Sequence, residues 1–407
     1  MSGASVGAAG LVAVLLAACG ASPSAAPTWV PAPSFQGDGG GQGGAAPVIP
    51  VPGQGPGGSG SPSSSAPAPR SSAPSSGSGS THRGGQDPSV VATRLSAPTG
   101  LAILPDGTAL VGERTTGRIV LVHPEPGKPV KTVRTLGGLS TRGGGGLLDL
   151  ALSPNYAQDN LIFAYVTTRT DDRVVDFTLT GPVTPVFTGI PTGPRDNSGR
   201  IAFGANGDLY IGTGDAGASS SAANPKSLAG KILRVTDIGR PAPGNPAHAS
   251  AVFARGFRTV AGLCNPIGTS VFYETGPQPS DTNDPINIIG RARQYQWPAS
   301  TPDAVGPVAS LPSGFRSPGG CAIQGTQLYV TSLDGHALLH AALHPNGTVG
   351  KFTAMLHDRY GRLRTVVAAP DGALWLTTSN RDGHGHPIPA DERVIRIVPA
   401  GSGGNPA

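Results

Sequence analysis

The chain has 407 residues, with 62 glycines, 42 prolines, 13% charged residues and a net charge of +5. So little charge and so many turn formers disfavour a helical bundle and favour many short strands joined by tight turns. The positive charge sits on scattered arginines, with no run of Lys and Arg interleaved with aromatics, so nucleic acid is excluded as a partner.

In chain order, the first feature is an apolar run over residues 11–18 that ends at Cys19 and Gly20. It is shorter than the roughly 20 apolar residues a membrane-spanning helix needs. It has the length of a signal-peptide core with small residues before the cut. Leu16, Ala17, Ala18 and Cys19 resemble a bacterial lipobox. The resemblance implies a diacylglyceryl group on the Cys19 thiol and cleavage that leaves Cys19 first. Residues 1–10 contain no Lys or Arg, unlike most export signals. The expected location is the outer face of the cytoplasmic membrane, held there through the N-terminal lipid.

Residues 20–90 are mostly Gly, Pro, Ser and Ala. Such a segment buries too little apolar surface to offset its conformational entropy, so a disordered tether is expected. Residues 91–400 are expected to fold, and residues 401–407 to form a disordered tail.

The folded part repeats one theme: an apolar strand, an Asp-Gly or Asn-Gly turn, a second strand, then a third. Clear copies start at Leu101, Ile201 and Val366, with turns at Asp106-Gly107, Asn206-Gly207 and Asp371-Gly372. Weaker copies start near Leu147, Leu263 and Cys321. Asp-Gly and Asn-Gly supply the positive φ angles that tight hairpins require. Several strands per unit at a roughly 40–50 residue period mark a β-propeller. The expected fold is all-β, a six-bladed propeller after a disordered tether, closed by residues 90–122 meeting the last repeat. Cys264 and Cys321 are left either bonded to one another or as two buried thiols.

Several stretches then carry a resemblance, in order and spacing, over about residues 95–398. They are Gly145-Gly146-Leu147-Leu148-Asp149-Leu150, Gly199-Arg200-Ile201, Gly212-Thr213-Gly214-Asp215, and Leu228-Ala229-Gly230-Lys231-Ile232. Gly256-Phe257-Arg258, Gly276-Pro277, Gln296-Trp297-Pro298 and Gly361-Arg362-Leu363-Arg364 continue the series. The domain resembles the soluble quinoprotein glucose/sorbosone dehydrogenases, in particular their actinobacterial lipoprotein relatives. The resemblance implies pyrroloquinoline quinone (PQQ) and calcium at the channel mouth, with a histidine as base. It places Arg258, Arg362, Arg364 and Asp215 as cofactor-binding residues. It places the calcium at the carbonyls of Gly276 and Pro277, with Asp281 or Asp284 adding a carboxylate.

Other positions depart from the pattern. The base position is Asp196, in Asp196-Asn197-Ser198-Gly199-Arg200. Unperturbed Asp titrates near pH 3.9 and His near 6.5, so the replacement removes a base matched to neutral pH. Gly144 stands for a Gln or Glu, Thr259 for an Asn, and Asp334 for a Lys. Asp334 brings negative charge to a site meant for a tricarboxylate. Two functions follow. One is a monomeric binding module whose channel mouth takes a small molecule, glycan or protein. The other is an active PQQ-dependent oxidoreductase, acting on a sugar or other hydroxyl or aldehyde compound, with Asp196 as an altered base.

Overall fold

A computed structural model describes residues 87–277, 283–299 and 302–399. The expected signal segment with Cys19, the tether up to residue 86, the tail and Asp281 lie outside the described residues.

The described residues form six four-stranded antiparallel sheets. Their first strands are Pro98–Ile103, Leu147–Leu152, Gly199–Phe203, Gly262–Cys264, Pro318–Gln324 and Leu363–Ala368. We number the blades 1 to 6 in that order. Each first strand packs on those of the two neighbouring blades, so the six close into a ring. The chain is an all-β, six-bladed propeller.

Each blade exposes an apolar face that only its neighbours cover. The seams hold six buried clusters, such as Leu110, Ile119, Leu147, Leu150 and Ala164 between blades 1 and 2. Near the axis the first strands approach too closely for side chains. A Cβ at Gly100 would lie 2.9 Å from the Asp149 carbonyl carbon, and one at Gly319 only 2.3 Å from the Arg364 carbonyl oxygen.

The closure is narrower than the sequence suggests. Only Val90–Ala92 pairs with Val394–Ile397, completing blade 6. Arg94 and Ala97 then take positive φ, 60° and 49°, which breaks the strand. Pro98–Ile103 begins blade 1 instead.

Blade 4 has the shortest strands, of three, three, four and two residues. A disulfide between Cys264 and Cys321, with Cα atoms 5.8 Å apart, ties its first strand to that of blade 5.

Candidate functional site: the cationic channel mouth

Antiparallel order decides which loops meet. In each blade the first strand runs away from one face and the second returns to it. Loops entering first strands and loops leaving second strands therefore cluster at that face, here called the mouth. This topology brings Asp196, Arg258 and Arg362 together with Asp215, Asp334, Gly276 and Pro277, although they come from different blades.

The floor of the mouth is Arg200. Its Nε donates to the Ala261 carbonyl at 2.6 Å, its Nη2 to the Gly319 carbonyl at 2.6 Å, and its Nη1 to Asp149 Oδ1 at 3.4 Å. One guanidinium from blade 3 thus reaches blade 2, the entry to blade 4, and blade 5. Burial raises the Asp149 pKa, while Arg200 and the Ile201 amide oppose that shift. Beyond this crossbar the channel widens into a cavity of about 320 Å³ lined by Leu150, Ile201, Leu263, Ile323 and Val366 with both cysteines.

Above the floor, arginines outnumber their partners. Arg362 donates to Asp334 Oδ1 at 2.6 Å and to Asp382 Oδ2 at 3.0 Å. Asp334 therefore does not face a ligand as a lone negative charge, as its position in the sequence suggests. It is paired with Arg362 and with the Ser317 hydroxyl. Burial pushes its carboxyl up, and the hydrogen bonds from Ser317 and Arg362 outweigh that, leaving it below the usual range. Arg364 donates to Ser379 Oγ at 3.0 Å, and its closest carboxylate oxygen is that of the shared Asp382, at 3.7 Å. Arg364 is pushed down to about 10, first by burial, then by Arg114, with Asp382 opposing and Arg200 and Arg362 adding. Arg114, at the end of the second strand of blade 1, donates to the Gly145 carbonyl at 3.1 Å. It forms no ion pair among the described residues.

Asp196 has φ of 55°, a left-handed conformation that Asp tolerates better than most residues. A Cβ at residue 214 would lie 1.8 Å from its carbonyl oxygen, so Gly214 is what admits this backbone. Its carboxylate lies 3.4 Å from Arg258 Nη2 and 3.3 Å from Arg195 Nε. The Arg258 guanidinium also sits 5.8 Å from the centre of the Trp297 ring. Trp297 Nε1 donates to Asp215 Oδ2 at 2.9 Å, and the other Asp215 oxygen accepts from the Gly217 amide at 2.8 Å. Asp215 is 1% exposed, so it orients Trp297 rather than meeting solvent.

The loop bearing Asp215 is held by Lys231, which is fully buried and has no carboxylate partner among the described residues. Its Nζ donates to the carbonyls of Ser221, Ala222 and Ala229 at 2.6, 2.9 and 2.6 Å. Burial, with Arg255 adding, pushes it down to about 7.

Of the expected calcium ligands, Gly276, Pro277 and Asp284 lie among the described residues. Asp284 accepts the Ser317 amide at 2.7 Å, tying blade 4 to the entry of blade 5. A Cβ at Gly276 would lie 2.0 Å from the Thr259 carbonyl oxygen, so the chain there packs on its own backbone. Neighbouring Glu274 is buried, pushed up to about 8 by burial against the opposing Asn287 hydrogen bond. No group of three or more His, Cys, Asp or Glu side chains able to hold a metal occurs among the described residues.

Sequence reasoning missed Arg114 and Asp382. It quoted Arg200, Lys231 and Trp297 inside motifs without giving them roles. Arg114 and Asp382 follow the second strands of blades 1 and 6 and Arg200 lies in the first strand of blade 3, places that a mouth-facing role requires.

A six-bladed propeller with an arginine-rich mouth is the class that fold and site define. The glucose/sorbosone dehydrogenase family model matches residues 95–309. The chain belongs to that family. It is similar to the PQQ-bound aldose sugar dehydrogenase of Streptomyces coelicolor, with a TM-score of 0.71 and 38% identity over 75% of this chain and 95% of that one. A Thermus thermophilus oxidoreductase described as a glucose dehydrogenase gives a TM-score of 0.69 and 37% identity, covering 75% and 98%. Aldose sugar dehydrogenase YliI of Escherichia coli (strain K12) is 26% identical over 352 residues, covering 72% of this chain and 90% of that protein.

The residues at this mouth do not fit PQQ well. Two of the three arginines expected to hold its carboxylates are already engaged by the chain's own carboxylates, Arg258 by Asp196 and Arg362 by Asp334 and Asp382.

Proposed function

We propose that this propeller is a binding member of its family, taking a small ligand at the mouth without the quinone-dependent oxidation. The observation that carries this is Asp196. At the position of the family's base, both of its oxygens are engaged by guanidinium groups, at 3.3 and 3.4 Å, rather than left for a substrate hydroxyl. Asp334 adds to it, since it stands for a cation and neutralises Arg362. Among the described residues, no three His, Cys, Asp or Glu side chains gather as a metal site.

The test is a titration of the whole chain with PQQ and calcium, followed by quinone absorbance, then aldoses with an artificial electron acceptor. No binding at tens of micromolar, equivalent to roughly −6 to −7 kcal/mol, supports the proposal. Binding with turnover that Asp196→Ala abolishes would replace it with the second reading, an active PQQ-dependent oxidoreductase. That second reading is favoured by Arg364, which has no carboxylate closer than 3.7 Å, and by the 38% identity to a PQQ-bound relative.

The apolar run before Cys19 supports a lipid-anchored protein on the outer face of the cytoplasmic membrane. Labelling cells with an alkyne fatty acid tests it: wild type takes up label and Cys19→Ala does not. Label retained in Cys19→Ala rejects the anchor.

A further inference from the structure

Two kinds of loop lie at the face opposite the mouth: those joining the first strand of a blade to the second, and those joining the third to the fourth. Seven large apolar side chains are exposed among the described residues. Val183, Ile238, Ile267 and Val271 sit in loops of that opposite face, and Val398 follows the third strand of blade 6 onto it. Of the other two, Ile388 lies in a loop at the mouth and Val308 borders the outer strand of blade 4. Ile267 is 87% exposed and Ile238 64%, so neither serves the core.

Four of these residues form one arc over blades 2, 3 and 4. A Cβ at Gly239 would lie 1.8 Å from the Val186 carbonyl oxygen, so the turn that carries Ile238 rests on the outer strand that Val183 leads into. The Ser270 hydroxyl donates to Asn206 Oδ1 at 3.1 Å, which fastens the loop of Ile267 and Val271 to the Asn206-Gly207 turn of blade 3. Ile267 also joins the lining of the central cavity, so the arc runs on to the apolar wall of the channel. Residues 178–183 and 265–272 contain no charged side chain, and Asp237 and Arg240 beside Ile238 carry opposite charges.

Aliphatic side chains exposed singly need no explanation, but gathered on one face they mark a surface that is covered in use. The kind of partner follows from what the arc lacks. Protein interfaces draw most of their energy from Trp, Tyr and Arg seated in pockets, and the four arc residues are valines and isoleucines on loops. A lipid surface asks only for apolar area, without a matching pocket. A lipid on Cys19 would also hold the bilayer at high local concentration, so a contact of few residues suffices.

Resting on the lipid-anchored reading above, we propose that the arc of Val183, Ile238, Ile267 and Val271 is a bilayer-contacting surface, with the mouth opening away from the membrane.

Dye quenching on the full chain in phosphatidylcholine vesicles tests it. Ile267→Cys, Ile238→Cys and Ile388→Cys are labelled in turn with a nitrobenzoxadiazole maleimide, without reductant, so that the Cys264–Cys321 disulfide stays closed. Quenching by a doxyl-labelled lipid is read against wild type treated in the same way. Labels at 267 and 238 should be quenched at least about threefold more than the label at 388. All three side chains are exposed, so these substitutions spare the core. Ile238→Asp, added to the chain labelled at 267, should lower the quenching there, because the arc seats as one surface. Equal quenching at the three positions, or quenching at 267 that Ile238→Asp leaves unchanged, overturns the proposal. A label at 267 that is shielded on cells yet unquenched in vesicles also overturns it, in favour of a protein partner. Uptake of the alkyne fatty acid at Cys19 separates the two readings. Acylation without quenching at 267 defeats the contact alone, whereas no acylation defeats the anchor and the contact that rests on it.

Discussion

The two ends of the central channel are built from the same six first strands, yet they are held in opposite ways. At the mouth, contact between blades runs through arginines: Arg200 alone links blades 2, 3 and 5 with the entry to blade 4. Past that crossbar the wall is mainly aliphatic, with Asn265 and Thr365 in it, and carries the Cys264–Cys321 disulfide. Polar bonds between blades are directional and leave charged groups free for a ligand. Apolar contacts are not directional and leave nothing to recognise. The chain thus keeps its chemistry at one end and plain cohesion at the other.

Arg200→Met tests the polar end most severely. It leaves Asp149 buried without its partner, and breaking such a pair costs about 3–5 kcal/mol. Denaturant unfolding should show a loss of that size, and Arg200→Met with Asp149→Leu should recover part of it. A loss below about 1 kcal/mol, the scale of an exposed ion pair, would mean that the crossbar does not hold the mouth.

Cys264→Ala with Cys321→Ala tests the apolar end. Removing a native disulfide costs about 2–4 kcal/mol, and blade 4, with its short strands, should become the first site of proteolysis. Unchanged stability and cleavage would show that blade 4 is held by packing alone.

Asp172, at the mouth end of blade 2, gives a pH test. It is 1% exposed, accepts the Tyr165 hydroxyl at 3.3 Å, and is pushed up to about 7 by burial. A carboxyl whose folded pKa is raised favours folding fully below its unfolded value and loses that contribution as pH rises towards about 7. Wild-type stability should therefore fall between about pH 4 and pH 7. Asp172→Asn should remove about 1–3 kcal/mol of that fall. Parallel pH profiles for the two proteins would rule this out.

Asp334→Asn should have the smallest effect on stability, under about 1 kcal/mol, because its side chain is half exposed. Arg362 keeps its second carboxylate, Asp382, at 3.0 Å. A loss of about 3 kcal/mol or more would show that the Asp334–Arg362 pair behaves as a buried one.

Much of this molecule was legible in the sequence. The first three strands of blades 1, 3 and 6 were, because their apolar residues are buried and an Asp-Gly or Asn-Gly turn separates the first two. Outer strands were not: Lys131–Thr135 is largely exposed and shows no alternation to detect. At the mouth, Asp196, Arg258, Arg362, Arg364 and Asp334 were recognisable by position. Their partners were not. The pairing of Asp334 with Arg362 crosses from blade 5 to blade 6, which only the closed ring reveals. Arg114 was invisible for the same reason, since its hydrogen-bond acceptor, the Gly145 carbonyl, lies at the entry to the next blade.

The closing strand has a mechanical side. A pull on the chain ahead of Asp87 loads Val90–Ala92, a strand of three residues that joins the two ends of the ring. Asp87 meets that load first. Arg359 Nη2 donates to its carboxylate at 3.0 Å and the Tyr360 hydroxyl at 2.9 Å, both from the segment that leads into blade 6. Drag on the leading segment is thereby shared with the body of the ring before it reaches the clasp, much as a cable is clamped ahead of its plug.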